Sequence, residues 1–265
     1  MKKILLLSFL LMTSFLVRSQ FYSGSQMEFG KNRVQYDEPR LWQWYKFDKY
    51  NVYFYMGGKE LAMYISERAK KYVAEIEKLL DYNLDAKIEF MVYNKQSDYR
   101  QSNLGLEYEE PYNIGGVTKV VGSKVFLYFD GDHTKFDREI KARIAEVLIN
   151  QMMYGGSLKE VVKNSTLLTL PNWYIQGLVS YIANDWDPDI DSRVKDGILS
   201  GKYKRFNGLD GSDAIYAGHS IWNYIAETYG RSVIPNILYM TKVTRSVESA
   251  FLFGLGASMK NMTSE

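Results

Sequence analysis

The stretch that decides how this chain folds runs from Arg138 to Tyr181. It opens Arg138-Glu139-Ile140-Lys141-Ala142-Arg143-Ile144-Ala145-Glu146-Val147-Leu148-Ile149-Asn150-Gln151-Met152-Met153-Tyr154-Gly155-Gly156. After a linker it continues Leu170-Pro171-Asn172-Trp173-Tyr174-Ile175-Gln176-Gly177-Leu178-Val179-Ser180-Tyr181. In the first part Glu139, Arg143, Glu146 and Asn150 recur at helical spacing as a polar stripe. Ala142, Ala145, Ile149 and Met152/Met153 form an apolar one. Two such stripes predict an amphipathic helix over about 135–154. The second part predicts another helix over 172–184, with Pro171 at its start, where a missing N–H costs nothing.

Working outward, the C-terminal side reads as helices throughout: 157–164, 189–199, 214–229, 231–241 and 246–253. Pro188 and Pro235 lie near two of the starts. The N-terminal side is different. Tyr36 to Met56 is dense in aromatics (Trp42, Trp44, Tyr45, Phe47, Tyr50, Tyr53, Phe54, Tyr55), either a binding face or half-buried sheet residues. Its second half alternates, with Val52, Phe54 and Met56 on one side of a strand, closed by Gly57-Gly58. Lys59 to Leu80 is the clearest helix, with Leu61, Ile65, Ala69, Tyr72/Val73, Ile76 and Leu80 on one face. Ile88, Phe90 and Val92 mark a second strand, Gln96 to Asn103 a short helix, and Glu107 to Pro111 an acidic loop. Residues 114–121 and 124–129 read as a hairpin around Gly122-Ser123. Asp132 or Thr134 caps the helix that follows. Strands and one helix come first and helices follow, so the class is α+β: a small mixed sheet with a helix in the N-terminal half, then a mostly helical C-terminal half.

The chain has 265 residues, 46% hydrophobic and 24% charged, which suits a protein that buries a real core. It has no cysteine, which excludes disulfides, thiolate metal sites, thiol catalysis and a lipoprotein anchor. Lys2 and Lys3 precede an apolar run, Ile4 to Val17, and cleavage before Gln20 fits a secretory signal; the run is short for a membrane span. Residues 1–19 contain Lys2, Lys3 and Arg18 and no acid, so their removal takes the net charge from +2 to −1. A near-neutral mature chain gives no argument for nucleic acid or an anionic membrane. The expected location is the periplasm or envelope of a bacterium.

Three pieces resemble the peptidase MA-like (gluzincin, zincin-like) family of metallopeptidases. Ala145-Glu146-Val147-Leu148-Ile149 stands at the place of His-Glu-x-x-His. Leu170 to Tyr181 looks like the family's Pro-x-Trp-Phe-x-Glu-Gly-Leu-Ala-x-Tyr, the most specific of the three. Ala214-Ile215-Tyr216-Ala217-Gly218-His219-Ser220-Ile221-Trp222-Asn223-Tyr224-Ile225-Ala226-Glu227-Thr228-Tyr229-Gly230 is similar to the Tyr-rich helix that follows. The resemblance spans about Asp48 to Met240. It implies a zincin-like fold and this division: signal peptide 1–19, lead-in 20–47, peptidase MA-like domain 48–256, and the start of a further, truncated region at 257–265. It also implies that the intact protein can carry a TolB-like β-propeller.

In that family two histidines on one helical face and a carboxylate from the next helix bind zinc, and the Glu after the first histidine is the general base. Here the ligand positions are Ala145, Ile149 and Gln176, none a useful zinc donor; only Glu146, the base position, remains. Zinc lowers the pKa of its bound water from 15.7 to about 7, so a base without the metal has no activated water to work on. The resemblance therefore implies a degenerate member with no cofactor and no catalytic residue. Glu146 can pair with Arg143 and need do nothing else. Trp173, Tyr174, Tyr216 and His219 are candidates to line the old cleft, although His219 also reads as a buried, hydrogen-bonded histidine. The only other histidine, His133, is not spaced with it as a chelating pair. Asp185, Asp187, Asp189 and Asp191 lack the Gly and terminal Glu of an EF-hand loop and read as a solvated run before a helix. The expected function is a non-catalytic binding or scaffold module of the envelope with a protein or peptide partner. The alternative is a hydrolase with a rearranged centre built on Glu146 with Gln176, Tyr216 or His219.

Overall fold

The computed structural model describes residues 41–100, 120–165 and 167–258. The segment read as a secretory signal, most of the lead-in, the acidic loop, the first part of the expected hairpin and all but the start of the 257–265 region lie outside the described residues.

Alternation in Tyr50, Val52 and Phe54 builds strand β2 (Tyr50–Phe54), and the same period in Ile88, Phe90 and Val92 builds β3 (Ile88–Tyr93). They run parallel, which requires a crossover, supplied by helix α1 (Lys59–Leu80). β5 (Lys124–Tyr128) adds parallel to β3. The two edges are antiparallel: β1 (Gln43–Lys46) on β2, and β4 (Val120–Val121) on β5 around Gly122-Ser123. The order is β1-β2-β3-β5-β4. β1 falls inside the segment read as lead-in. Trp44, 59% exposed, masks its alternation. The strand expected to reach Met56 ends at Phe54, and Met56 is 81% exposed instead of facing inward. The chain turns there on Gly57 at φ +83°, next to a tight Gly58.

Register places Val52, Phe90 and Val125 in one row across the sheet. That row is fully buried in the main core, under Ile65, Ala69 and Ile76 of α1 and Ile140, Ile144 and Leu148 of α3 (His133–Tyr154). The opposite face holds a smaller cluster of Tyr55, Tyr93, Phe126 and, from α2 (Gln96–Arg100), Tyr99. There the Tyr55 hydroxyl donates to the buried Asp98 carboxylate at 2.5 Å and accepts from the Asn94 N–H at 2.9 Å.

The remaining helices are α4 (Leu158–Ser165), α5 (Asn172–Ala183), α6 (Pro188–Leu199), α7 (Gly211–Tyr229), α8 (Val233–Thr244) and α9 (Val247–Leu255), with a 3₁₀ segment at Lys202–Gly208. The architecture is thus a five-stranded mixed sheet backed by a largely helical body, in keeping with the α+β class. Among the described residues no helix is long and apolar enough to cross a membrane.

Local sequence explains the ends. The Asp132 carboxylate accepts from the Thr134 and Lys135 N–H groups and starts α3 two residues earlier than the periodicity predicts. Asp187 does the same for Ile190 in α6, and Asp210 accepts from the Gly211 N–H at the start of α7. The acidic run is therefore a cap followed by i,i+4 pairs, Asp189 with Arg193 and Asp191 with Lys195. At the C-terminal end of α3, Lys242 of α8 donates to the Met152 carbonyl at 2.7 Å.

Candidate functional site

The frame is the seam between α3 and α5. On α3, Ala145 and Ile149 are completely buried and belong to the same core cluster as Trp173, Tyr174 and Leu178 of α5. The polar stripe lies beside them. Arg143 donates to the Glu139 carboxylate at 2.8 Å and to the Glu146 carboxylate at 2.6 Å. All three side chains are largely shielded, so the pairs are screened less than surface ones. Glu146 is thus held by a guanidinium through charge-assisted hydrogen bonding. Gln176 is half-buried, and among the described residues its amide makes no side-chain hydrogen bond.

A zinc ion needs nitrogen, sulfur or carboxylate donors at about 2.0–2.3 Å. Ala145 and Ile149 have no donor atom and Gln176 offers a neutral amide, so these residues do not fit the metal. Among the described residues, no three His, Asp or Glu side chains cluster closely enough to hold one.

Two expected cleft residues prove to be core. Trp173 donates from its indole to Asn207 at 2.9 Å. Tyr174 lies beneath Trp222, whose indole donates to the Tyr174 carbonyl at 2.9 Å. The Tyr174 hydroxyl is 2.7 Å from Thr241 Oγ1. Thr241 spends its own proton on the Ile237 carbonyl, so the tyrosine is the donor. Both aromatic side chains are fully buried, because α7 and α9 close over α5; they cannot line an open cleft. Tyr216 is half-buried, and the Arg193 guanidinium of α6 sits 5.1 Å from its ring centroid.

His219 is fully buried as well. Its Nδ1 is 2.9 Å from Ser180 Oγ, and its ring packs edge-on to Tyr181 and Trp186. Among the described residues Nε2 has no hydrogen-bond partner. Burial pushes its pKa down to about 4, against the opposing pull of Asp187. The imidazole is therefore neutral at pH 7. Ser180 and His219 have the atoms of a nucleophile–base pair, but neither is open to solvent. His133 is far from this arrangement in sequence and exposed, its ring packed at a tilt against Tyr64 and Phe129 at the start of α3.

Two features were not read from the sequence. Gly177 and Gly218 let α5 and α7 meet backbone to backbone: a Cβ at Gly177 would fall 2.3 Å from Gly218 Cα, and one at Gly218 would fall 2.0 Å from the Trp173 carbonyl oxygen. Gln151 is the second. Its Oε1 accepts from the Asp85 and Ala86 N–H groups, and its Nε2 donates to the Ala86 carbonyl and to Ser123 Oγ, all at 3.0–3.1 Å. One buried amide thus ties α3 to the loop before β3 and to the β4–β5 turn. Its signal was available: Ile144, Leu148 and Gln151 share one helical face at i, i+4 and i+7.

No protein-family model matches the chain, and no significant match is found among the curated proteins or the solved structures.

Proposed function

We propose that this chain is an exported, non-catalytic peptidase-like domain that serves as a binding or scaffold module for a peptide or protein in the bacterial envelope. In this reading the zincin-like framework persists as the α3–α5 pair, and the metal positions have been taken over by packing. One observation carries it: Ala145 and Ile149 are completely buried in the main core, while the adjacent Glu146 carboxylate is bound to Arg143 at 2.6 Å. A carboxylate occupied by a guanidinium in this way supports a structural task for Glu146. A fold can outlive its reaction, because function resides in the site and not in the scaffold. A TolB-like β-propeller in the intact protein would suit a scaffold role.

The test is metal content and peptidase activity of the purified mature protein after dialysis. The expected result is far less than one zinc per chain and no hydrolysis of peptide substrates, with or without added zinc. Stoichiometric zinc that survives dialysis, or hydrolysis abolished by Glu146→Gln, overturns the reading.

A further inference from the structure

Away from the Glu146 stripe, the C-terminal half of α1, the outer side of α3, the end of α5 and the turn between α7 and α8 enclose a cleft of about 420 Å³. That volume lies at the small end of ligand sites, about 300–1,000 Å³. Three basic side chains from three different elements line it: Lys78 of α1, Lys141 of α3 and Arg231 of the α7–α8 turn. Among the described residues none of the three has a carboxylate partner. By contrast Arg143, Arg193, Lys195 and Lys202 each have one within 3.1 Å. Aromatic rings stand beside two of them. Lys141 Nζ lies 5.8 Å from the Tyr72 centroid, and the Arg231 guanidinium lies 6.0 Å from that of Tyr181. Like charges gathered around a concavity focus a positive potential into it and favour a negative ligand.

Two acids on the same cleft set the ligand's charge. Glu75 and Asp185 line it too, and Glu75 is partly taken up by Lys71 at 3.8 Å. Three cations against two acids suit a monoanion and disfavour a dianion such as phosphate. Leu79 and the Tyr181 ring supply an apolar wall. We infer that this cleft binds the C-terminal carboxylate of a peptide whose last residue is apolar. The carboxylate meets the basic groups, with Arg231 able to take it in a bidentate fork. The last side chain lies on Leu79 and Tyr181, and Asp185 accepts from a backbone N–H further up the peptide. The assignment rests on the cleft alone and is independent of the peptidase-like reading.

The test is calorimetric titration of the mature protein with three probes: N-acetyl-alanyl-leucine as the free acid, the same dipeptide as its C-terminal amide, and inorganic phosphate. The expected result is binding of the free acid, at least tenfold weaker binding of the amide, and phosphate weaker than the acid. Arg231→Gln and Lys141→Gln each weaken the acid at least tenfold, and Lys202→Gln, remote and paired with Asp196, leaves it unchanged. Where Lys141→Gln lowers the unfolding midpoint, Lys78→Gln on the exposed side of α1 supplies the same comparison without that effect. Equal binding of acid and amide, tighter binding of phosphate, or no binding of the acid overturns the assignment.

Discussion

Substituting Gly218 by Ala sets two effects against each other. Inside a helix, Ala is favoured over Gly by about 1 kcal/mol. Against that, the new Cβ would sit 2.0 Å from the Trp173 carbonyl oxygen and 2.7 Å from Gly177 Cα, where real Cβ contacts stay beyond 3.0 Å. Both obstacles are backbone atoms of a packed helix, so neither can rotate away. Relief requires α5 and α7 to move apart by about 1 Å. Overpacking of this kind costs about 1–3 kcal/mol, occasionally more. The same separation stretches the indole bond from Trp222 to the Tyr174 carbonyl and the Ser180–His219 contact, both 2.9 Å, each worth about 1 kcal/mol. The balance is a loss of about 2–4 kcal/mol. Urea unfolding at pH 7, followed by tryptophan fluorescence, reads it as a lower midpoint with an unchanged slope. Gly254→Ala in α9 is the internal control. There the new Cβ meets Ile237 Cγ1 at 3.3 Å, a side-chain atom that can give way, so the change is expected to lie within about 1 kcal/mol of zero. A Gly218→Ala protein as stable as the parent, or a Gly254→Ala protein equally damaged, refutes the reasoning.

Three further outcomes follow from the buried polar groups. His219 titrates at about 4 in the folded chain against 6.5 for the free side chain, so the unfolded state binds the proton first. The stability it contributes is complete above pH 6.5 and is lost as pH falls towards 4. The full shift corresponds to at most about 3.4 kcal/mol, of which roughly 2.5 is lost between pH 7 and 4.5; urea midpoints at those two pH values measure that part, and His219→Asn is expected to flatten the difference. Gln151→Leu leaves the Asp85 and Ala86 N–H groups without their acceptor and is expected to cost about 3 kcal/mol in chemical unfolding; a loss under 1 kcal/mol would show that water replaces the amide freely. Arg143→Met takes the guanidinium from Glu146 and Glu139 and is expected to cost about 3 kcal/mol, whereas Glu146→Gln, which keeps a hydrogen-bond acceptor on Arg143, should cost less than half of that in the same assay; the reverse order would contradict a structural role for Glu146.

The helices and inner strands were legible because each carries its own period. Ile65, Ala69, Val73, Ile76 and Leu80 mark α1, and Val52, Phe54, Ile88 and Phe90 mark the strands, with no need of tertiary context. β1 was not, because an edge strand with Trp44 facing solvent lacks the alternation that burial imposes. The 3₁₀ segment Lys202–Gly208 was not, because it is held by a ring-on-glycine contact, Tyr203 against Gly197 of α6, that leaves no periodic pattern. At the candidate site, the Arg143–Glu146 pair followed from i,i+3 spacing alone. The fate of Trp173, Tyr174 and His219 depended on α7 and α9 closing over α5. Sequence reading had no means to foresee the Gly177–Gly218 contact that permits it. Lys78, Lys141 and Arg231 come from three separate elements, and only the assembled fold gathers them.

The parallel core of the sheet also bears on how the chain reaches this state. β2, β3 and β5 cannot zip up as hairpins. Tyr50 must find Ile88, and Glu89 must find Lys124, each across a loop of about 35 residues whose closure entropy is lost before any strand contact repays it. Each helix closes its own hydrogen bonds within a few residues, and α8 packs on α9, its neighbour in sequence, whereas α5 meets α7 across 41 positions, from Gly177 to Gly218. Refolding should therefore show helical signal returning early, with the β2–α1–β3 crossover and the docking of α5 on α7 both forming late. Until then the Val52–Phe90–Val125 row stands uncovered, which makes the N-terminal half the segment most prone to aggregate during refolding.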